Sequence, residues 1–345
     1  MKRISIWIFI LAALVLACST RPVQKTLPGG QAEYHFFKIL SEKIPVLDPD
    51  KSVVLTKSSQ FELKASDIFP AVYQEYGFFG DPPEKIKKGE LISFLKSQTN
   101  RLSNRLLLAA AARDRGFSVP TDSVQKNVAD LFAHFGGKEA AIRDLAKQGM
   151  TLNRYKKNYI DRQLYHLYMK NYVQKVVYKN LTVSEKEIKD FYNGWATANF
   201  QLLTLSFAGK TGAQKDSLHK KMEEIVQKAR TGADFSKLVK TYSDLDYKKE
   251  VGGLFENFPR TELPPDIAKA IEKTPEGAVC DPLERKDDEE FMIVKVLKKM
   301  KSTQSFEKAR GAIKNYLLWT KKRTAYKALV DSLKKKYHYQ ELVTF

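Results

Sequence analysis

Apolar residues fall into distinct patterns along this chain. Residues 1–17, MKRISIWIFILAALVLA, form one apolar run behind two positive charges. Short runs at 53–55 and 61–63 flank polar Lys57, Ser58 and Ser59 and predict a small hairpin. From there the spacing turns helical. Ser66 predicts an N-cap for a helix begun by Ile68, Val72 and Tyr73. The breaker Asp81, Pro82, Pro83 precedes a long helix with Leu91, Leu95, Leu102, Leu106 and Ala110, stopped by Gly116. Thr121 predicts a cap for a run through Val124, Val128, Leu131 and Phe132, broken at Gly136 and Gly137; residues 141–145 follow, up to Gly149. Thr151 opens what reads as the longest helix, with Tyr155, Tyr159, Leu164, Tyr168, Tyr172 and Val176 on one broad face. Ser184 and Glu187 have capping-box spacing ahead of Ile188, Phe191 and Tyr192.

The pattern then changes. Residues 200–207, FQLLTLSF, read as a strand, followed by a helix to Ala229 with Leu218, Met222, Ile225 and Val226 inward. GADFSKLVKTYSDLDYKKEVGGLFENF occupies 232–258, then LPPDIAKAI, a turn at 275–277 and a closing strand, FMIVKVL, at 291–297. Residues 306–337 predict a last long helix with Ile313, Leu317, Ala325, Leu329 and Leu333, Ser305 as its cap, and residues 342–345 a short strand to pair with the early hairpin. Helices in one block and strands in another make this an α+β chain.

The first apolar run, about 14 residues, is too short to span a bilayer core that needs about 20, and its charged start is that of an export signal. Val15, Leu16 and Ala17 before Cys18 have the form of a lipobox, which predicts cleavage after Ala17 and lipidation of Cys18. An ordinary signal with an incidental cysteine accounts less well for a small residue directly before it. Residues 18–32, with Pro22, Pro28, Gly29 and Gly30, read as a tether. Only Cys280 remains, so an acylated Cys18 leaves no internal disulfide; in GAVCDPL a small apolar core residue would serve equally well.

The 345 residues, 43% hydrophobic, suffice for two or three domains. The net charge of +19 falls to +17 when the two basic residues Lys2 and Arg3 leave with the signal. Basic residues are spread over amphipathic faces, which describes solvated helices with a secondary attraction to anionic surfaces or acidic partners. Nucleic acid is a poor match for an exported chain. His35, His134, His166, His219 and His338 are scattered without metal-ligand spacing, and neither a phosphate loop nor a G-x-S-x-G elbow occurs. Asp287, Asp288, Glu289 and Glu290 read as a solvated turn; calcium spacing is absent. No metal or cofactor is implied.

Strand, helix, GADF, YS, GG, LPP, helix and strand, in that order over about a hundred residues, resemble the parvulin family of peptidyl-prolyl isomerases. The resemblance implies two facing histidines on central strands, a cysteine or aspartate after YS, and a proline pocket containing a methionine and a phenylalanine. Aligned on its strands, this chain has Gln201 and Met292 at the histidine positions and Leu245 at the third catalytic position, between Asp244 and Asp246. Leu263 and Ile267 take the pocket positions, with Phe258 beside them. Rotation about an X-Pro bond crosses a barrier of about 18–20 kcal/mol without breaking a covalent bond, so polar groups around the carbonyl and an apolar seat for the ring would suffice for catalysis. With both histidines replaced, activity is expected to be weak or lost.

AAAARDRGFSVP, the L-x-x-x-G-x-T run up to Thr151, and VSEKEIKDFY just before the parvulin-like unit resemble the helical N-terminal domain of the SurA and PrsA group of exported foldases. The expected organisation is a signal at 1–17, a tether at 18–32, a helical chaperone domain at 33–196, a parvulin-like domain at 197–300 inserted into it, and a C-terminal segment at 301–345 that returns to the helical body. The resemblance implies a membrane-tethered, ATP-independent chaperone for unfolded or proline-containing exported polypeptides, on the periplasmic side of an outer membrane or the outer face of a cell membrane, and admits a homodimer. The alternative is an active isomerase assisting the same chains. Six tyrosines between 155 and 178 have two readings, core and boundary residues or an aromatic surface for clients.

Overall fold

The computed structural model describes residues 32–77, 82–147, 149–208, 210, 212–244, 246–286, 288–343 and 345. The signal, Cys18, nearly all of the tether, Leu245 and Asp287 lie outside the described residues. The first helix, α1 (Ala32–Lys43), buries Phe36, Phe37 and Leu40 beneath the hairpin β1 (Val54–Lys57) and β2 (Glu62–Lys64). Phe37 stacks on Phe69 of the short α2 (Phe69–Val72) at 4.1 Å between ring centroids. Ser66 is not the cap here. The Asp67 carboxylate accepts from the Lys64 N–H at 2.7 Å and closes a 3-10 turn, with Ser66 inside that turn and its hydroxyl accepting from Arg154 at 3.4 Å.

Next come α3 (Lys88–Asp114), α4 (Thr121–His134), α5 (Lys138–Lys147), α6 (Leu152–Tyr168) and α7 (Glu185–Asn193). Thr121 is the first residue of α4 with Pro120 before it, so fixed proline φ opens that helix where a hydroxyl cap was expected. Thr151 does cap α6, accepting from the Arg154 N–H at 3.2 Å. The capping box of α7 is complete: Ser184 Oγ accepts from the Glu187 N–H at 3.2 Å, and Glu187 accepts from the Ser184 N–H at 2.9 Å. After α6 the helix widens into π turns from Met169 to Val177. Of the six tyrosines in this region only Tyr168 is fully buried; the others sit half-buried at the boundary.

The second unit contains β3 (Thr197–Ser206), α8 (Gly212–Arg230), α9 (Phe235–Tyr242), α10 (Asp246–Lys249), β4 (Leu254–Pro259), α11 (Pro265–Lys273), β5 (Leu283–Arg285) and β6 (Glu290–Met300). The chain then enters α12 (Phe306–Lys336), at 31 residues longer than the helix opened by Thr151, and ends in β7 (Gln340–Glu341). This last strand lies two residues earlier than the apolar pattern suggested. It pairs with β1, Thr56 opposite Glu341 and Lys57 opposite Gln340, giving a sheet ordered β2-β1-β7.

Val330, Leu333 and Tyr337 at the end of α12 pack with Leu107, Leu108, Leu164, Tyr168 and Val173 of α3, α6 and the π turns. Each buried aliphatic side chain contributes about 1.5–3 kcal/mol, so this seam is what draws the C-terminus back to the body. Arg310–Glu185 and Lys321–Glu187 ion pairs line α12 up along α7. Among the described residues, no helix is long and apolar enough to cross a membrane.

Tyr326 on α12 is pushed up to about 12, by burial first and by the neighbouring Tyr165 and Tyr178 second. A tyrosine whose folded value lies above its unfolded value near 10 holds its proton more tightly in the native state, so its contribution is intact below pH 10 and is lost as pH rises toward 12. In chemical denaturation between pH 9 and 12, Tyr326→Phe should flatten the alkaline fall in stability; a fall as steep as wild type would assign the loss to other groups.

Candidate functional site

The parvulin-like unit is a four-stranded antiparallel sheet ordered β4-β3-β6-β5. Strand side chains alternate between faces, so each strand feeds two cores. On one face Leu203, Leu205 and Ile293 pack under α8 and α9 with Met222, Ile225, Phe235 and Val239. On the other, Phe200, Leu202, Met292, Val294 and Val296 pack under α11 with Leu263, Ile267 and Ile271.

This alternation decides which expected site residues meet. Met292, Leu263 and Ile267 do come together, and Phe258 lies at their edge, its ring 6.1 Å from Phe200 and 5.7 Å from Phe255. Gln201 does not join them. It is buried on the opposite face, where its amide donates to Ser236 Oγ at 2.6 Å and to the Gly252 carbonyl at 3.0 Å. The β3 residues on the Met292 face are Phe200, Leu202 and Thr204, with Thr204 directly opposite Met292. The expected Gln201–Met292 pair is therefore corrected to neighbours of Leu202 and Thr204: a one-residue slip in a strand moves a side chain to the other face. Which β3 residues share a face with Met292 follows from the Thr204–Met292 register, which the sequence pattern alone leaves open.

Ser243 and Asp244 carry β3 past the end of β4. Ser243 Oγ accepts from the Thr204 N–H at 3.2 Å, the Asp244 N–H donates to the Thr204 carbonyl at 2.9 Å, and the Asp244 carboxylate accepts from the Ser206 N–H at 2.8 Å. The YS-D segment thus satisfies strand-edge groups and brings Asp244, exposed, to the end of the Met292 row. Asp246 opens α10; Leu245 lies outside the described residues.

Two groups that sequence reasoning missed bind this face to the helical body. The buried Arg260 guanidinium lies 4.0 Å from the Phe191 ring and 5.1 Å from Trp195, and pairs with Glu272 of α11 at 3.0 Å. Tyr316 of α12 donates its hydroxyl to the Leu263 carbonyl at 3.4 Å. The acidic run is also more than a solvated turn: Glu289 pairs with Lys96 of α3, and Arg285 holds Glu290 at 2.5 Å. Cys280 is half-buried, accepts from the Val294 N–H at 3.1 Å, and has its thiol pushed up by burial, as a packing residue should.

The chemistry this face offers is apolar. Met292, Leu263 and Ile267 are 2%, 4% and 6% exposed, closed upon one another. Histidine enters the unit at His219 on α8, beside Phe291 at 5.1 Å between rings and away from this face.

Residues 202–298 match the family model for the rotamase, PPIC-type PPIASE domain, and this unit is a parvulin-type domain. The foldase protein PrsA 2 of Listeria innocua is 26% identical over 222 residues, 64% of this chain and 68% of that one; its Listeria monocytogenes counterpart is 26% identical over 64% and 67%. Over these lengths the chain resembles the PrsA foldases, and it carries a domain of the parvulin type. Among solved structures, PrsA from Bacillus anthracis aligns at 21% identity over 69% of this chain and 96% of its own, TM-score 0.37. A structure of the SurA-like chaperones PEB4 and Cj1289 of Campylobacter jejuni aligns at 14% over 63% and 85%, TM-score 0.27. Neither is close enough in overall shape to lend its geometry to this chain.

Gly252 and Gly253 explain why the GG pair belongs to the fold. Both have positive φ, 62° and 73°, and a Cβ on Gly253 would stand 2.3 Å from the Leu202 carbonyl oxygen. Gly253→Ala must strain the backbone and push β4 off β3, costing at least about 2 kcal/mol. Urea unfolding checks this; a loss below about 0.5 kcal/mol would show that β4 shifts freely.

Proposed function

We propose that this chain is a lipid-anchored, extracytoplasmic chaperone that holds unfolded exported polypeptides, with the parvulin domain acting as a structural and binding part. The observation that carries this reading is the closed face at Met292, Leu263 and Ile267. Stabilising a twisted prolyl amide calls for polar groups around its carbonyl and an open seat for the ring. Met292 offers only a weak sulfur acceptor, and Gln201 is committed to Ser236 and Gly252 on the other face. The name foldase carried by the Listeria relatives agrees with a role on other polypeptides.

In this reading residues 1–17 are removed, Cys18 carries lipid, 18–32 stand the body off the membrane, 33–196 with 301–345 form the chaperone body, and 197–300 form the inserted domain. A second reading, an active isomerase, is favoured by Asp244, whose exposed carboxylate stands at the end of the Met292 row.

A proline tetrapeptide assay separates the two, since uncatalysed isomerisation takes tens of seconds. The full chain should give no acceleration over buffer while suppressing aggregation of an unfolded client. Acceleration that disappears in a Leu263→Arg variant still folded by circular dichroism would make the protein an isomerase. Cys18→Ser should move the protein from the membrane fraction to the soluble exported fraction; an unchanged distribution would remove the anchor.

A further inference from the structure

Between Leu152 and Leu181, α6 and the π turns that continue it carry seven basic residues and one acidic residue, Asp161. Asp161 is buried and already held by Arg113 and Lys157, and Arg154 pairs with Asp67. Lys156, Arg162, Lys170, Lys175 and Lys179 are left with no carboxylate partner among the described residues. We propose that this ridge docks on the anionic headgroups of a lipid bilayer and sets how the helical body lies against the membrane. The proposal takes the nearness of that membrane from the reading of Cys18 as an anchor, and the ridge itself is tested without the anchor.

Two features separate the ridge from an ordinary solvated helix face. The first is crowding. Arg105 on α3 is half-buried and makes no ion pair among the described residues; its pKa is pushed down by burial first and by the charges of Arg101 and Arg162 next, which Asp161 offsets only in part. Like charges that feel one another in this way are relieved by an anion brought among them. The second feature is alignment. From Met169 to Val177 the helix takes π turns, in which residues four and five apart share a side. Lys170, Lys175 and Lys179, five and four apart, thus stand along one side, whereas α-helical spacing would turn Lys175 about 140° away from Lys170. Val176, 54% exposed, stands beside Lys175. An apolar side chain among lysines suits the headgroup level of a bilayer, where lysine stems lie on apolar surface and their ammonium groups meet phosphate. Half-buried Tyr159, with the Arg162 guanidinium 5.7 Å from its ring centre, adds an aromatic of the kind that favours such interfaces.

The place of the ridge favours lipid over other polyanions. Arg154 clamps the start of α6 to Asp67, next to the hairpin that covers α1. The tether that leads into α1, about 15 residues, reaches at most about 50 Å and has a root-mean-square span of about 20 Å. A chain anchored at Cys18 therefore keeps α1 and the start of α6 within reach of headgroups.

The test uses the chain from Ser19 onward, which keeps every described element and lacks both the signal and Cys18, so any lipid contact must come from the body. Co-sedimentation with vesicles of phosphatidylglycerol and phosphatidylcholine in equal parts should show binding at least about tenfold stronger than to phosphatidylcholine alone, falling at least about tenfold between 50 and 500 mM salt. Each cation near an anionic surface contributes about a fivefold change in binding, so Arg162→Gln, Lys170→Gln, Lys175→Gln and Lys179→Gln together should weaken it at least about fiftyfold. All four are exposed and glutamine favours helix about as well as they do, so the melting temperature should hold. A second variant of equal net charge, with Lys220→Gln, Lys237→Gln, Lys240→Gln and Lys273→Gln at exposed positions of the parvulin-type domain, should bind within about threefold of wild type. Equal weakening in the two variants would assign binding to net charge and overturn the ridge, as would undiminished binding by the first. Equal binding to both kinds of vesicle, or to neither, would overturn the bilayer as partner. Tighter binding to polyglutamate than to the anionic vesicles would make an acidic polypeptide the occupant and overturn it too. None of these outcomes depends on the anchor, which the Cys18→Ser fractionation tests separately.

Discussion

The seat of α12 across the two halves of the chain is the contact on which everything else depends. Val330, Leu333 and Tyr337 bury themselves against α3, α6 and the π turns, and the two residues of β7 then complete the sheet begun by β1 some 280 positions earlier. A short strand such as β7 has little stability alone. It forms because the long helix before it has already fixed where the chain must end, and the Tyr337 hydroxyl on Asp114 at 2.8 Å secures that corner. With the first and last described elements joined in one body, the parvulin domain enters from α7 and leaves into α12, held at two places.

Those attachments bear on what the domain can do. Arg260 stacks between Phe191 and Trp195 while reaching Glu272, and Tyr316 reaches the carbonyl of Leu263, so the apolar face of the sheet is braced by the helical body. At the other end, Lys96 holds Glu289. A face closed by Met292, Leu263 and Ile267 and braced in this way is suited to fixing the domain's position.

The parvulin signature is largely a signature of scaffold. GADF places Asp234 as the cap of α9, accepting from the N–H groups of Ser236 and Lys237; the YS pair ties the end of α9 to β3; GG lets β4 approach β3 without a clash. Each of these serves backbone geometry whether or not the groups that act on a prolyl bond are present.

Read alone, the chain disclosed its main helices, the Ser184 and Thr151 caps and the two long strands β3 and β6, because periodicity and capping are local properties of neighbouring residues; the return of the last helix came from the family resemblance, and β4, β5 and the sheet order came only with the fold. Tertiary structure decided what local pattern leaves open. Gln201 or Leu202 could each face Met292 until the register of β3 with β6 chose, since one residue reverses every side chain in a strand. Arg260 and Tyr316 are an ordinary basic residue and an ordinary aromatic in the sequence; only the docking of α7 and α12 brings one between two rings and the other to Leu263. Lys170, Lys175 and Lys179 are legible as charge, but α-helical spacing would spread them around the axis; only the π turns, seated by Val173 in the core shared with α3 and α12, set them along one side.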